Sequence, residues 1–462
     1  MDLPHADHHL TNKMRTHLPA IAAASFVLLV APPAATQHPP AKSPAKPATK
    51  QVESHGAVTR PTSGRTSTPA KGHAAAGDHS TLGGESSSCA SLSRVSAVSP
   101  VVPETAGPGF ASFVDPSARV EGSHRVMIGC RSYVGPFASL DGSAGPIAIG
   151  DDTNVQDNVV ISGKLVVLGD HVIIAHGATI VGPATVGTAN GKPAFVGFNS
   201  WVEGAMIEPD AMVTHLVKVS AGVVIRSGTK VLPGKWIRTQ DEADNPALGK
   251  VTAVTDADRE FMRGVLHVNA AFASGYTDLY QSSPALVRGI GRDPGHSDFN
   301  HEADLPTLAG IAEARPDFPA RIIGAVVMSD SVRQLEAKLG KNISIRADEG
   351  EHFRFGHVGS LQDRVTFHAL EHTDLSVGNN GTFGYHVVVH GGPDDASEPR
   401  TLARIEDDVT VKDWAVVFRS KVGRGVTIGV RAYVDGSQLA AGTVVPDRAI
   451  MIKNKIVGTV EW

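Results

Sequence analysis

Two histidines stand at one phase of a repeat. His368 directly follows Phe367 and His390 directly follows Val389, and each of these apolar residues is the third in its coil of a six-residue beat. Equal phase sends both imidazoles out along one edge on neighbouring rungs, about 4.8 Å apart at sheet spacing. Two neutral imidazoles so placed can share one metal ion. His176 lies two residues after Ile174, a different phase, so it points from another edge. Taken alone it reads as a polar corner residue, because histidine is commonly exposed or intermediate in burial. Where His368 and His390 stand in their part of the chain, Ser162 and Val181 stand in the part that holds His176, so it has no pair to join there. His352, His357 and His372 share no phase with the pair and read as polar surface residues.

The elements that must position these side chains come in two copies. Asn154-Val155-Gln156-Asp157 through Ser162 returns as Ser360-Leu361-Gln362-Asp363 through His368, and Ala175-His176 through Val181 faces Gly384-Tyr385 through His390. Aliphatic residues fall at Ile149, Val155 and Ile161, then after a one-residue slip at Leu168, Ile174, Ile180 and Val186. The second copy continues the beat at Phe355, Leu361, Phe367, Val377, Phe383 and Val389 and on to Val434, often with glycine next in line, as at Gly150, Gly169 and Gly378. A step of six marks a hexapeptide-repeat β-helix, in which three short strands make one triangular coil and the coils stack their apolar residues. The predicted fold class is all-β dominated: two tandem parallel β-helices with an α-helix after the first. Phe261, Val265, Val268, Phe272 and Leu279 place that helix over 256–280. The first β-helix with its helix is expected over 111–281, a Pro- and Gly-containing linker over 282–320, and the second β-helix over 321–462.

The chain has 462 residues, a net charge of −5 and no basic stripe with interleaved aromatics, which excludes a nucleic-acid partner. Residues 1–35 contain Met14-Arg15, an apolar run from Leu18 to Ala31 and then small residues and prolines, the pattern of a secretory signal. Export is the expectation, with Met14 the alternative start; the run is too short for a comfortable membrane span, so none is expected in the mature chain. Residues 36–110 are rich in Pro, Lys, Ser, Thr and Ala and are expected to be a disordered spacer. The two cysteines, Cys89 and Cys130, pair or stay free on equal terms.

Both copies resemble the γ-class carbonic anhydrases, left-handed β-helix proteins that form trimers with a metal at each subunit interface. In the second copy Arg346-Ala347-Asp348-Glu349-Gly350, Gln362-Asp363, His368-Ala369-Leu370-Glu371 and Val389-His390-Gly391 carry the likeness. In the first copy Ile174-Ala175-His176 carries it, with Val268-Asn269-Ala270-Ala271-Phe272 through Tyr276 on the trailing helix. The resemblance implies two tandem left-handed parallel β-helices and a metal held by His176, His368 and His390, with zinc expected and iron or cobalt equally suited to three imidazoles. It implies that Glu349 lies beside the metal-bound water, that Glu371 passes protons outward, and that Gln362 and Asn269 orient water and substrate. Arg346, Asp348 and Asp363 resemble charges that lock adjacent prisms. A three-histidine site lowers the pKa of bound water toward about 7, and the implied reaction is hydration of CO2 to bicarbonate.

The departures from the pattern are complementary. The first copy has Leu140, Gly142 and Ser143 where the arginine, aspartate and glutamate belong, and the second copy has Tyr385 in place of the neighbour-facing ligand, with His386 one residue off phase. A complete site therefore requires the His368–His390 edge of a second copy to meet the His176 edge of a first. With two copies per chain, trimeric rings need another chain for the third place, and a pair of rings from three chains is one closed solution. The competing expectations are a catalytically silent scaffold and a hexapeptide-repeat acyltransferase, since the fold hosts that chemistry too.

Overall fold

The computed structural model describes residues 92–95, 99–102, 108–189, 191–295, 303–349, 352–371, 373–392 and 403–462. The signal-like segment, most of the spacer, Cys89 and His372 lie outside the described residues. No helix among the described residues is long and apolar enough to cross a membrane.

The beat residues build the interior. Ile149, Val155, Ile161, Leu168, Ile174, Ile180 and Val186 are at most 1% exposed, stacked rung on rung inside the first β-helix. One of its faces is the parallel run Phe113–Val114, Tyr133–Val134, Asn154–Val155, Val172–Ile174, Ala194–Val196, Met212–Val213 and Thr229–Val231, closed by the antiparallel strand Val251–Ala253. Its other two faces share one sheet, because Val160–Leu168 and Thr179–Val186 run on through the corner between them. The second β-helix has three separate sheets, one to a face. In it Thr366–Ala369 and Val388–Gly391 pair in parallel with His368 opposite His390, the register that their shared phase requires.

The stretch expected to be a linker contributes strands instead. Ile290–Gly291 pairs with Arg321–Gly324, and Thr307–Ala309 pairs with Val326–Ser331, so both belong to the second β-helix. Strands of two or three residues set among prolines and glycines show no beat, which is why the sequence hid them. The connection between the copies is thus only the turn at 283–289.

The long helix Asp256–Ser282 starts at a capping box, Thr255 with Asp258, and buries Met262, Val265, Leu266, Val268, Phe272 and Tyr276. Phe272 and Tyr276 lie against Tyr133, with ring centroids 5.4 and 5.7 Å away, so the helix seals the outer side of the first copy's Phe113 face. The second copy's largest sheet docks on the same side. Ile173, Phe195 and Met212 of the first copy, Met262 and Val265 of the helix, and Val388, Val416 and Tyr433 of the second copy form one apolar cluster. Two buried ion pairs cross this junction, Arg321 to Asp115 at 3.1 Å and Arg346 to Asp157 at 2.9 Å.

Candidate metal centre

The junction brings together the three histidines that no single copy holds. His176 Nε2 lies 3.3 Å from His368 Nδ1, which lies 3.2 Å from His390 Nε2, and all three rings are buried. Each ring turns its other nitrogen to an oxygen. His390 Nδ1 donates to the Gly391 carbonyl at 2.7 Å, His368 Nε2 donates to Asp348 Oδ1 at 3.2 Å, and His176 Nδ1 faces Asp157 Oδ1 at the longer distance of 3.5 Å. For His368 and His390 those oxygens hold the proton on the outer nitrogen and leave the converging nitrogen bare, as outer partners do for metal-ligating histidines; His176 Nδ1 faces Asp157 without a hydrogen bond.

Burial first, then the charge of Arg346, lowers His368 to about 4, despite the opposing pull of Asp348. Burial lowers His176 as well, and burial with the two neighbouring imidazoles takes His390 well below its usual range. Three neutral rings thus aim lone pairs at one point with no proton to share among them. A cation that takes neutral nitrogen ligands fits that donor set.

Asp157 and Asp348 are joined through Arg346, which is 1% exposed. Its Nε and Nη2 reach the two oxygens of Asp157, each at 2.9 Å, and its Nη1 binds Asp348. Ser344 also donates to Asp157, and Tyr276 donates to Asp348. Glu349 is buried, its Oε2 3.7 Å from His368 Nε2 and its Oε1 accepting the Glu371 backbone N–H at 3.2 Å. Burial, then the charges of Asp348 and Glu371, push Glu349 well above the usual carboxylate range. Glu371 is half-buried. Phe198 and Phe418 wall one side, with centroids 5.0 and 5.6 Å from the His390 ring.

Two residues expected here are elsewhere. Gln362 is exposed on the five-stranded sheet, in a shallow depression with Thr382, Thr410 and Lys412, and the glutamine at the centre is Gln156, whose Oε1 accepts the His176 N–H at 3.2 Å. Asp363 accepts the Lys341 N–H at 2.9 Å and has no part in the arginine network, where Asp157 takes its place. The reason is common to both: an edge of one copy meets the opposite edge of the other, so the junction uses the Gln-Asp pair of the first copy. Asn269 is buried on the long helix with its amide nitrogen tied to the Val265 carbonyl at 2.7 Å. His386 is buried but stacks on Trp414 at 4.2 Å with Arg364 at its Nε2, apart from the three histidines.

Residues missed at the sequence level also obey the phase rule. Phe198 follows Val196 as His176 follows Ile174, and Phe418 follows Val417 as His390 follows Val389. Asn154, on the rung beside Ile173, is fully buried, and its amide nitrogen and oxygen have no hydrogen-bond partner among the described residues.

Gly177 turns the corner after His176 at φ +71°, where a Cβ would lie 2.0 Å from Asn199 Oδ1 and 3.3 Å from His386 Nδ1. Gly177→Ala is expected to destabilise the protein by about 1–3 kcal/mol through strain and overpacking at the junction. Urea unfolding measures this, and an unchanged midpoint would contradict it.

No protein-family model matches the chain. A carbonic anhydrase of Methanosarcina thermophila is 32% identical over 214 residues, 40% of this chain and 81% of that protein. The carboxysome assembly protein CcmM of a Nostoc strain is 31% identical over 180 residues, 36% of this chain and 30% of that protein. The carnitine operon protein CaiE of Escherichia coli is 35% identical over 127 residues, 27% of this chain and 58% of that protein.

Proposed function

The chain belongs to the γ-class carbonic anhydrase family, and from that premise we propose that it is itself a carbonic anhydrase, hydrating CO2 at one metal centre between its two copies. The observation that carries this reading is the convergence of His176, His368 and His390, three neutral imidazoles with oxygen partners on their outer nitrogens. These residues would hold a zinc ion, with iron or cobalt compatible with the same donors. When bound, the ion supplies Lewis acidity sufficient to generate hydroxide from water near pH 7.

The chain's own residues do the rest. Asp348 and the Gly391 carbonyl fix which nitrogen of His368 and His390 stays bare, and Asp157 faces the outer nitrogen of His176 at 3.5 Å. Glu349 is the buried carboxyl beside His368, and Glu371, half-buried with its backbone N–H on Glu349, is the carboxylate that would pass protons outward. Phe198 and Phe418 keep water from one flank. Gln156 and Asn269 are the amides available to orient water and CO2. Relatives with other names, CcmM and CaiE, match the chain too, so the likeness alone does not decide; the donor set is what supports the enzyme reading. Export through residues 1–35 is part of the same proposal and rests on sequence alone.

The short connection bears on assembly. A third β-helix would complete a ring only by offering both kinds of face, and in another chain each copy already covers one such face with its tethered twin. Ring closure of the kind expected from the sequence therefore needs a chain whose own junction has opened.

The test is metal analysis with a CO2 hydration assay. One transition-metal ion per chain at every protein concentration, together with hydration that a chelator abolishes, is the expected result. Substoichiometric metal after zinc loading, or a loaded protein no faster than buffer, would end this reading.

A further inference from the structure

The first copy's long helix reaches across the junction to a residue of the second. Tyr276 on that helix is fully buried, and its hydroxyl donates to Asp348 Oδ2. The other oxygen of Asp348 is the one that His368 Nε2 meets at 3.2 Å. Arg346 binds Oδ2 as well, so that oxygen carries two donors and Oδ1 is left to the imidazole. The phenol is held from several sides: Phe113 stacks on it at 5.2 Å, Tyr133 at 5.7 Å, and Phe272, one helical turn earlier, lies 6.0 Å away. A ring so packed cannot swing aside, and its hydroxyl has an acceptor fixed in place.

We propose that Tyr276 is a positioning residue for the metal centre, acting through Asp348 to hold the His368 ring with its Nδ1 toward His176 and His390. This rests on the three-histidine reading above and extends it. The first copy would then contribute more than one ligand: it would also set the orientation of a ligand in the second. A carboxylate anchored at one oxygen by rigid donors presents the other along a defined direction, and the imidazole proton follows it. Without the phenol hydroxyl, Arg346 alone anchors Asp348, and Arg346 is shared with Asp157.

Tyr133 supplies the control. It lies in the same aromatic cluster and is equally buried, but its hydroxyl has no hydrogen-bond partner among the described residues. Tyr276→Phe and Tyr133→Phe therefore each remove one buried oxygen from the same packing. Cobalt(II) titration of the full chain, read by its visible absorption, reports both affinity and ligand geometry, with thermal unfolding of the metal-free proteins alongside. Tyr276→Phe should weaken cobalt measurably, up to about tenfold and so short of the ten- to hundredfold loss that follows removal of an outer partner such as Asp348, and alter the absorption envelope. Tyr133→Phe should leave both as in the wild type. Equal affinity and an equal spectrum in Tyr276→Phe would overturn the proposal, and so would an equal loss in both variants, which would mark a packing effect. Should Tyr276→Phe fail to fold, Asp348→Asn tests the same link with the phenol in place, and undiminished cobalt affinity there would overturn it as well. A wild-type chain that binds no cobalt would refute the metal centre itself, an outcome distinct from these.

Discussion

His176→Ala should yield a folded protein that takes up no stoichiometric metal and hydrates CO2 no faster than buffer. The variant leaves His368 and His390 in register on adjacent strands, with Asp348 and the Gly391 carbonyl still on their outer nitrogens. Two ligands from one edge remain, and the third direction is empty. Removing an outer partner commonly weakens metal binding roughly 10–100-fold, and loss of a ligand itself should exceed that. The strand pairing does not use this ring, which is buried and stacks on Phe198 at 5.6 Å, so the unfolding midpoint should fall by the cost of one cavity while the metal content falls to nothing. His386→Ala is the contrast, because that imidazole faces Trp414 and Arg364; metal content and rate should be unchanged. Full activity in His176→Ala would defeat the proposal that the site lies between the copies.

Arg346→Met should cause the largest loss of stability of any single substitution at the junction, about 3–5 kcal/mol, because it strands two buried carboxylates. The loss should also depend on pH, with a definite sign. Burial pushes Asp157 up, but Arg346 and His176 outweigh it and hold the carboxyl well below the usual range; the same opposition leaves Asp348 at about 2. Groups depressed in the folded state contribute stability that is complete above their unfolded value, near 3.9, and drains away as pH falls through the folded one. In the variant the guanidinium is gone and burial prevails, so both carboxyls should titrate above their unfolded value. They then fold most easily while protonated, and their penalty appears as pH rises. The gap between wild type and variant should therefore be widest near neutrality and narrower at pH 4, as urea unfolding at the two values would show. A gap that is constant with pH would mean the arginine acts by packing alone.

The interior of the fold was legible because a β-helix writes its geometry into a period. Ile149, Val155 and Ile161 needed only counting, and the same count placed His368 beside His390. What stayed hidden involves contacts between copies. Each copy carries a Gln-Asp pair at the same place in its repeat, Gln156-Asp157 and Gln362-Asp363, and counting along either copy does not say which edge will be covered. The structure buries the first pair and exposes Gln362, since Arg346 needs a carboxylate from the facing prism. Tyr276 has no role legible in the sequence, because its partner lies 72 residues away on another element. The strands at Ile290–Gly291 and Thr307–Ala309 were missed for a local reason, being too short to show a period.

The turn at 283–289 has a consequence for where such a protein can work. A site assembled between separate chains weakens as those chains are diluted, since its formation follows mass action. Two halves joined by a short connection meet at an effective concentration set by the tether, of millimolar order for short flexible linkers, whatever the number of molecules in solution. One chain alone, at any dilution, carries both halves of the centre, and each half can lose the ligands that its twin supplies.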